Sequence, residues 1–231
     1  MADSPAKRHL QRVEAAQAAA RAAAGNPLEG TPIHAQMRQQ LAHDQARLKQ
    51  IQSAQGKAQL KAVLLPNYDA YLAGVLDADA GGPDEVVSRL MLWHIDAGLY
   101  RRSLDIAAYV LRHGLEMPDA FKRTAACVVA EEIGLAALNA FKTRTPFDGA
   151  VIDRAVQLTE GADMPDEVRA RLLLARARGV LDTGADDAPL PLDAVTAAVA
   201  DLRRAISLHD SCGGKEDLKR AERLLKKFEA S

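Results

Sequence analysis

A chain of 231 residues with 48% apolar residues can bury one sizeable core, or one core with a smaller appendage. Alanine supplies much of that apolar share and aromatic residues only 4%, which argues against sheets and for close-packed helices, so an all-α fold is expected. The net charge of −1 excludes a uniformly basic nucleic-acid binder, yet residues 1–65 carry nine Lys/Arg against four acids, while residues 66–170 carry ten against 17.

Cys127 and Cys212 are isolated and lack a second cysteine or histidine at metal spacing, which argues against a zinc site and a disulfide framework. No run approaches 18 uninterrupted apolar residues, and Leu10 to Ala24 is broken by Arg12, Glu14 and Arg21, so neither a membrane span nor a signal peptide is expected. A reducing cytoplasm is the expected compartment.

Ser4-Pro5-Ala6 predicts the start of a helix that runs to Ala24 and stops at Gly25-Asn26-Pro27. Only Leu10 and Val13 are large apolar anchors in it. Residues 1–30 therefore read as a mobile basic arm, with Lys7, Arg8 and Arg12 able to lie along phosphates. A second helix is predicted over 33–53, its residues Met37, Leu41, Asp44, Leu48 and Ile51 alternating by four and three as in a coiled-coil seam. That pattern offers Met37, Leu41, Leu48 and Ile51 as self-association residues, against the plainer reading of a helix packed on its own domain. Arg38, Arg47, Lys49, Lys57 and Lys61 lie on or after this helix, and Asp44 is the only acid between residues 30 and 65. Charge this one-sided points to an anionic partner. Residues 31–80 are thus expected to serve DNA contact, oligomerisation or both. No short polar recognition helix after a tight turn is apparent, so a helix-turn-helix is not predicted.

Pro66 interrupts the next pattern, and Gly81-Gly82 ends it. From there to residue 231 the apolar periodicity predicts helices over 84–97, 101–113, 119–142, 148–160, 166–182, 191–209 and 215–229, several opened by a proline followed by acids. Antiparallel hairpins bury such stripes most simply, giving a hairpin domain over 81–231 that ends in an amphipathic helix. Within it, MLWHIDAGLYRRSLDIAAYVLRHGLEMP from Met91 to Pro118 holds the single tryptophan and reads as one hairpin, with Gly98 and Gly114 ending its two helices. Its second half is partly tetratricopeptide-like, although the unequal spacing of the Pro-Asp starts departs from a true repeat.

No constellation of catalytic residues is visible, and no metal or cofactor is predicted. Pro118-Asp119 with Lys122 has the outline of a metal-nuclease motif, but proline and acid already have a role as a helix start. Glu131 and Glu132 diverge around a helix, the six histidines form no i, i+4 pair around a glutamate, and there is no GxxxxGK loop.

Taken together, SPAKRHLQRVEAA near the N-terminus, the Met91–Pro118 block and ADMPDEVRARL further on resemble the small terminase subunit of temperate tailed phages that package DNA with cohesive ends. The resemblance runs from about residue 4 to the end of the chain. It implies a DNA-packaging adaptor in the host cytoplasm that selects phage duplex DNA, forms a homo-oligomer such as a ring, and delivers DNA to the large subunit, which holds the ATPase and nuclease. Relatives sometimes carry an endonuclease label, which these residues do not support. Some relatives also have a long basic tail; here Lys215, Lys219, Arg220, Arg223, Lys226 and Lys227 would substitute for it. The alternative reading is a helical-repeat scaffold whose acidic stretch, residues 66–170, binds a protein.

Overall fold

A computed structural model describes residues 4–24, 31–118, 123–183 and 190–229. Among these, the regular structure is entirely helical: α1 (Pro5–Ala23), α2 (Pro32–Lys49), α3 (Ala54–Leu64), a 3-10 turn (Leu65–Tyr68), α4 (Asp69–Ala78), α5 (Glu85–Asp96), α6 (Tyr100–Arg112), α7 (Ala125–Lys142), α8 (Gly149–Leu158), α9 (Asp166–Thr183), α10 (Leu192–Leu208) and α11 (Lys215–Glu229). The chain divides into two compact units, Met1–Ala125 and Ala126–Ser231, a different partition from boundaries near residues 30 and 80.

In the first unit, α1 lies along α4. Its buried face is made of small residues, Ala15, Ala18, Ala19 and Ala22, whereas the two large apolar side chains, Leu10 and Val13, are 55% and 38% exposed. The two large apolar residues that the sequence offers in this helix are therefore not the ones on its buried face. The close approach needs Gly74 on α4, where a Cβ would stand 2.2 Å from the Arg12 carbonyl oxygen and 2.8 Å from the Ala15 Cβ. Alanine against glycine lets two backbones come together where larger side chains would hold them apart.

α5 and α6 form the predicted hairpin across the three residues Ala97 to Leu99. Gly98 is left-handed (φ 74°), with Leu99 N–H donating to the His94 carbonyl at 2.8 Å and Gly98 N–H to that of Ile95 at 2.9 Å. Gly114 repeats the arrangement at the end of α6 (φ 63°), where Leu115 N–H donates to the Val110 carbonyl at 2.9 Å. Both are Schellman closures, which satisfy carbonyls that a helix end leaves unpaired. Trp93 is buried and meets Tyr68 edge-on with ring centroids 6.2 Å apart, so its partner is the 3-10 turn as well as the hairpin.

In the second unit, α9 and α10 pack through Leu174, Ala177, Leu181, Ala198, Val199 and Leu202, joined by Ala221 of α11. Gly134 admits α9 closely, since a Cβ there would lie 3.3 Å from the Leu172 backbone. Arg176 grips Asp201 with two bonds of 2.6 Å, and that carboxylate raises the affinity of the guanidinium for its proton. The described part of α7 begins at Ala125, later than the predicted start at Asp119; Asp119 itself lies outside the described residues.

Candidate nucleic-acid interface

The second predicted helix ends early. α2 stops at Lys49, Gln50 to Ser53 form a turn, and α3 starts afresh with Ser53 as its cap, the Ser53 Oγ accepting from Gly56 N–H at 3.1 Å. A serine oxygen at this position satisfies one of the helix's unpaired N–H groups. The seam spacing continued to Ile51 because α2 and the turn bury one continuous edge. Met37, Leu41 and Leu48 are 1%, 6% and 8% exposed and Ile51 is half-buried. The chain's own core thus uses the residues expected for self-association. Asp44, the polar residue in that seam, is buried too and accepts from the Tyr68 hydroxyl at 2.8 Å and from Arg47 Nη1 at 3.2 Å.

A second buried carboxylate fixes the other end of the unit. Asp84 caps α5, its Oδ1 accepting from Val86 and Val87 N–H at 2.9 and 3.3 Å, and its Oδ2 accepts from the Tyr71 hydroxyl at 2.5 Å. Burial, then the charge of Asp84, pushes the Tyr71 phenol far above its ordinary range; burial followed by the bond to Asp44 does the same to Tyr68. Burial lowers the proton affinity of His94, and the bond that its Nδ1–H donates to the Leu90 carbonyl at 2.7 Å opposes this only in part.

This scaffold displays the predicted cations in two groups. Arg12 pairs with Asp77, its Nε 2.8 Å from Oδ2; Arg38 pairs with Glu85 at 2.6 Å; Arg47 pairs with Asp44; and Lys61 pairs with Asp96. Arg12, Arg38 and Arg47 remain about half exposed, whereas Lys61 is 15% exposed. The Arg12–Asp77 and Arg38–Glu85 pairs are exposed on both sides and worth only about 0–1 kcal/mol each, so a phosphate can replace the carboxylate there at little cost, whereas the Asp44 partner of Arg47 is buried. Among the described residues Arg8, Lys49 and Lys57 make no ion pair, and Lys7 is exposed at the start of α1. Residues 45–68 contain four cations, Arg47, Lys49, Lys57 and Lys61, and no acid at all.

The C-terminal cations are more occupied by their own neighbours. Lys215 pairs with Asp210 and Lys219 with Glu216, each at 2.7 Å, while Arg223 donates to the Lys219 carbonyl. No group of three His, Cys, Asp or Glu side chains among the described residues could hold a metal ion. Glu131 lies 3.8 Å from Arg171, and Asp119 and Lys122 fall outside the described residues. No described helix is long and apolar enough to cross a membrane.

The fold and this candidate surface define a class: an all-helical protein with a cationic, acid-poor segment and no metal-holding group of side chains among its described residues. Residues 38–167 match the family described as phage small terminase subunit. Over 223 residues, 96% of this chain and 86% of the relative, the sequence is 40% identical to a protein of Escherichia phage P2 named "Terminase, endonuclease subunit". No solved structure matches the chain. The chain belongs to the phage small terminase subunit family, and its setting is phage DNA packaging.

Proposed function

We propose that this chain is the DNA-recognising adaptor of a packaging complex: it binds phage duplex DNA, assembles with further copies of itself, and passes the DNA to a large terminase subunit in the cytoplasm of the bacterial host. The observation that carries the reading is the acid-free stretch 45–68, with Lys49 exposed and Lys57 half-buried and neither held by a carboxylate among the described residues. Lys7, Arg8, Arg12, Arg38, Arg47, Lys49, Lys57 and Lys61 are its phosphate contacts, with Arg12 and Arg38 exchanging a carboxylate for a phosphate on binding. Several copies of a weakly cationic surface sum to a large electrostatic attraction, which reconciles DNA binding with a net charge of −1. Met37, Leu41, Leu48 and Ile51 enter self-assembly by holding α2 in place, since the core already uses most of their surface.

The name of the phage P2 relative raises endonuclease activity as a second reading. A hydrolytic nuclease of the metal-dependent kind needs converging carboxylates, and the described residues offer no such group, so we assign cutting to the partner subunit. The test is an anisotropy titration of labelled duplex with wild type and with Lys49→Glu/Lys57→Glu. Tenfold or greater weakening at about 100 mM salt, with the native mass unchanged, supports the adaptor. Equal affinity for the two proteins would remove the 45–68 stretch from the interface.

A further inference from the structure

We propose that α1 is a self-association helix, its outward face packing antiparallel against the same face of a second copy of this chain. The inference rests on the self-assembly reading above and adds to it the surface and the symmetry of the contact.

α1 has two packable faces of opposite character. The inner one is built of Ala15, Ala18, Ala19 and Ala22 seated against glycines: a Cβ on Gly82 would stand 2.3 Å from the Ala22 Cβ, as one on Gly74 would crowd Arg12 and Ala15. The two large aliphatic side chains, Leu10 and Val13, are left 55% and 38% exposed. They belong to a series, Ala6, Leu10, Val13, Gln17 and Ala20, that alternates by four and three, and every member of it is exposed. At 100° per residue these five fall within an arc of about 80°, roughly opposite the buried alanines. This is the seam spacing of a two-stranded coiled coil, with its large residues at the centre. α2 carries the same spacing, but its own unit buries it; the seam of α1 is left open.

Two features select a second copy as the occupant, and they agree on one alignment. The first is apolar register. In an antiparallel pair centred between Leu10 and Val13, Leu10 meets the partner's Val13 and Val13 meets the partner's Leu10, so four large aliphatic side chains share one core, while Ala6 stands across from the partner's Gln17. The second is charge. Lys7, Glu14 and Arg21 line one flank of the seam, one in each heptad, and all are exposed. Glu14 is the only acid between residues 4 and 28, and it makes no ion pair among the described residues. In the alignment that joins the four aliphatics, Glu14 comes opposite the partner's Lys7, and Lys7 opposite the partner's Glu14. Opposite charges on such flanks set the partner and its orientation. Sliding the pair by one heptad would instead set Glu14 against the partner's Glu14 and Lys7 against the partner's Arg21, and would separate the leucines from the valines. The contact is isologous, so it closes on a pair and leaves the remaining surface able to build a larger closed assembly. Lys7 stands at its rim, where an exposed pair leaves it able to turn to a phosphate, as for Arg12.

The test is the native mass of the full-length protein over a dilution series, read by sedimentation for wild type, Leu10→Glu/Val13→Glu, Lys7→Glu, Glu14→Lys and the exchange Lys7→Glu/Glu14→Lys. All the substituted positions are exposed, so the variants should keep the helical content of wild type. Wild type is expected at an even multiple of 24.8 kDa, and Leu10→Glu/Val13→Glu at half of it. Each single charge reversal sets two like-charged pairs across the contact and should raise the concentration of half-dissociation roughly tenfold, and the exchange should bring it back near wild type. An unchanged mass for Leu10→Glu/Val13→Glu would hand this face to a different protein and overturn the inference, as would an odd multiple for wild type or an exchange variant that recovers nothing. A wild type that stays at 24.8 kDa at every concentration would overturn the self-assembly reading itself, and this inference with it.

Discussion

The carboxylates Asp44 and Asp84 carry the first unit at the level of single residues. Both are buried, and each accepts a tyrosine hydroxyl from the segment that joins α3 to α5. Removing Asp84 takes away the α5 cap and strands the Tyr71 hydroxyl, so Asp84→Ala should cost about 2–4 kcal/mol in denaturant unfolding, with Asp84→Asn losing less. Asp79 is an exposed counterpart. His113 Nε2 at 2.7 Å, and Arg112 Nη1 at 2.6 Å, hold its carboxyl below the ordinary range. A depressed folded value means that the stabilisation is present above the unfolded carboxylate value near pH 4 and is lost as pH falls through the lower folded value. Unfolding measured across pH 2–6 should therefore show a shallower acid-side loss in Asp79→Asn than in wild type; superimposable slopes would remove Asp79 from the acid response.

At the scale of elements, most helices were legible because their stripes and stops obey simple chemistry. The Gly98 and Gly114 closures fall where the sequence puts them, and the helix expected from residue 148 opens there, with Asp148 as its cap, Oδ1 accepting from Ala150 N–H at 3.1 Å. Two things were not legible. α1 buries alanines, which periodicity weighs lightly, and exposes the leucine and valine that it weighs most; only Gly74 sixty residues on makes the alanine face the closer fit. The turn at 50–53 was hidden because Ile51 keeps the spacing of the α2 edge, although Ser53 three residues before Gly56 was the available start signal. The candidate site was legible as charge but not as geometry. The list of cations came from the sequence, whereas the carboxylates that hold Arg12, Arg38 and Lys61 lie 65, 47 and 35 residues away along the chain. Gly74→Ala should push α1 off α4, lowering stability by about 1–3 kcal/mol and opening α1 to proteolysis first; full retention of both would contradict the packing described here. Arg144, left-handed at φ 54° after α7, offers the opposite change. Arg144→Gly should gain up to about 1 kcal/mol, read as a raised melting temperature.

For the whole molecule, two compact units share one chain, and the unit that holds residues 45–68 holds all eight proposed phosphate contacts. That concentration fits the proposal to a near-neutral protein in a DNA-packaging family: net charge describes the chain, whereas the proposed binding depends on the cations of one unit repeated across copies. Native mass measured without DNA should be a multiple of 24.8 kDa, and a strictly monomeric species with or without DNA would remove self-assembly from the proposal.

The most direct test of the central claim is the affinity of the intact protein for phage duplex DNA as a function of salt. The proposed contacts predict that log Kd rises linearly and steeply with log salt, with a fall in affinity of about a thousandfold or more between 50 and 200 mM if six or more phosphates are engaged. A Kd that does not change over that range, or no binding at its lower end, would contradict it.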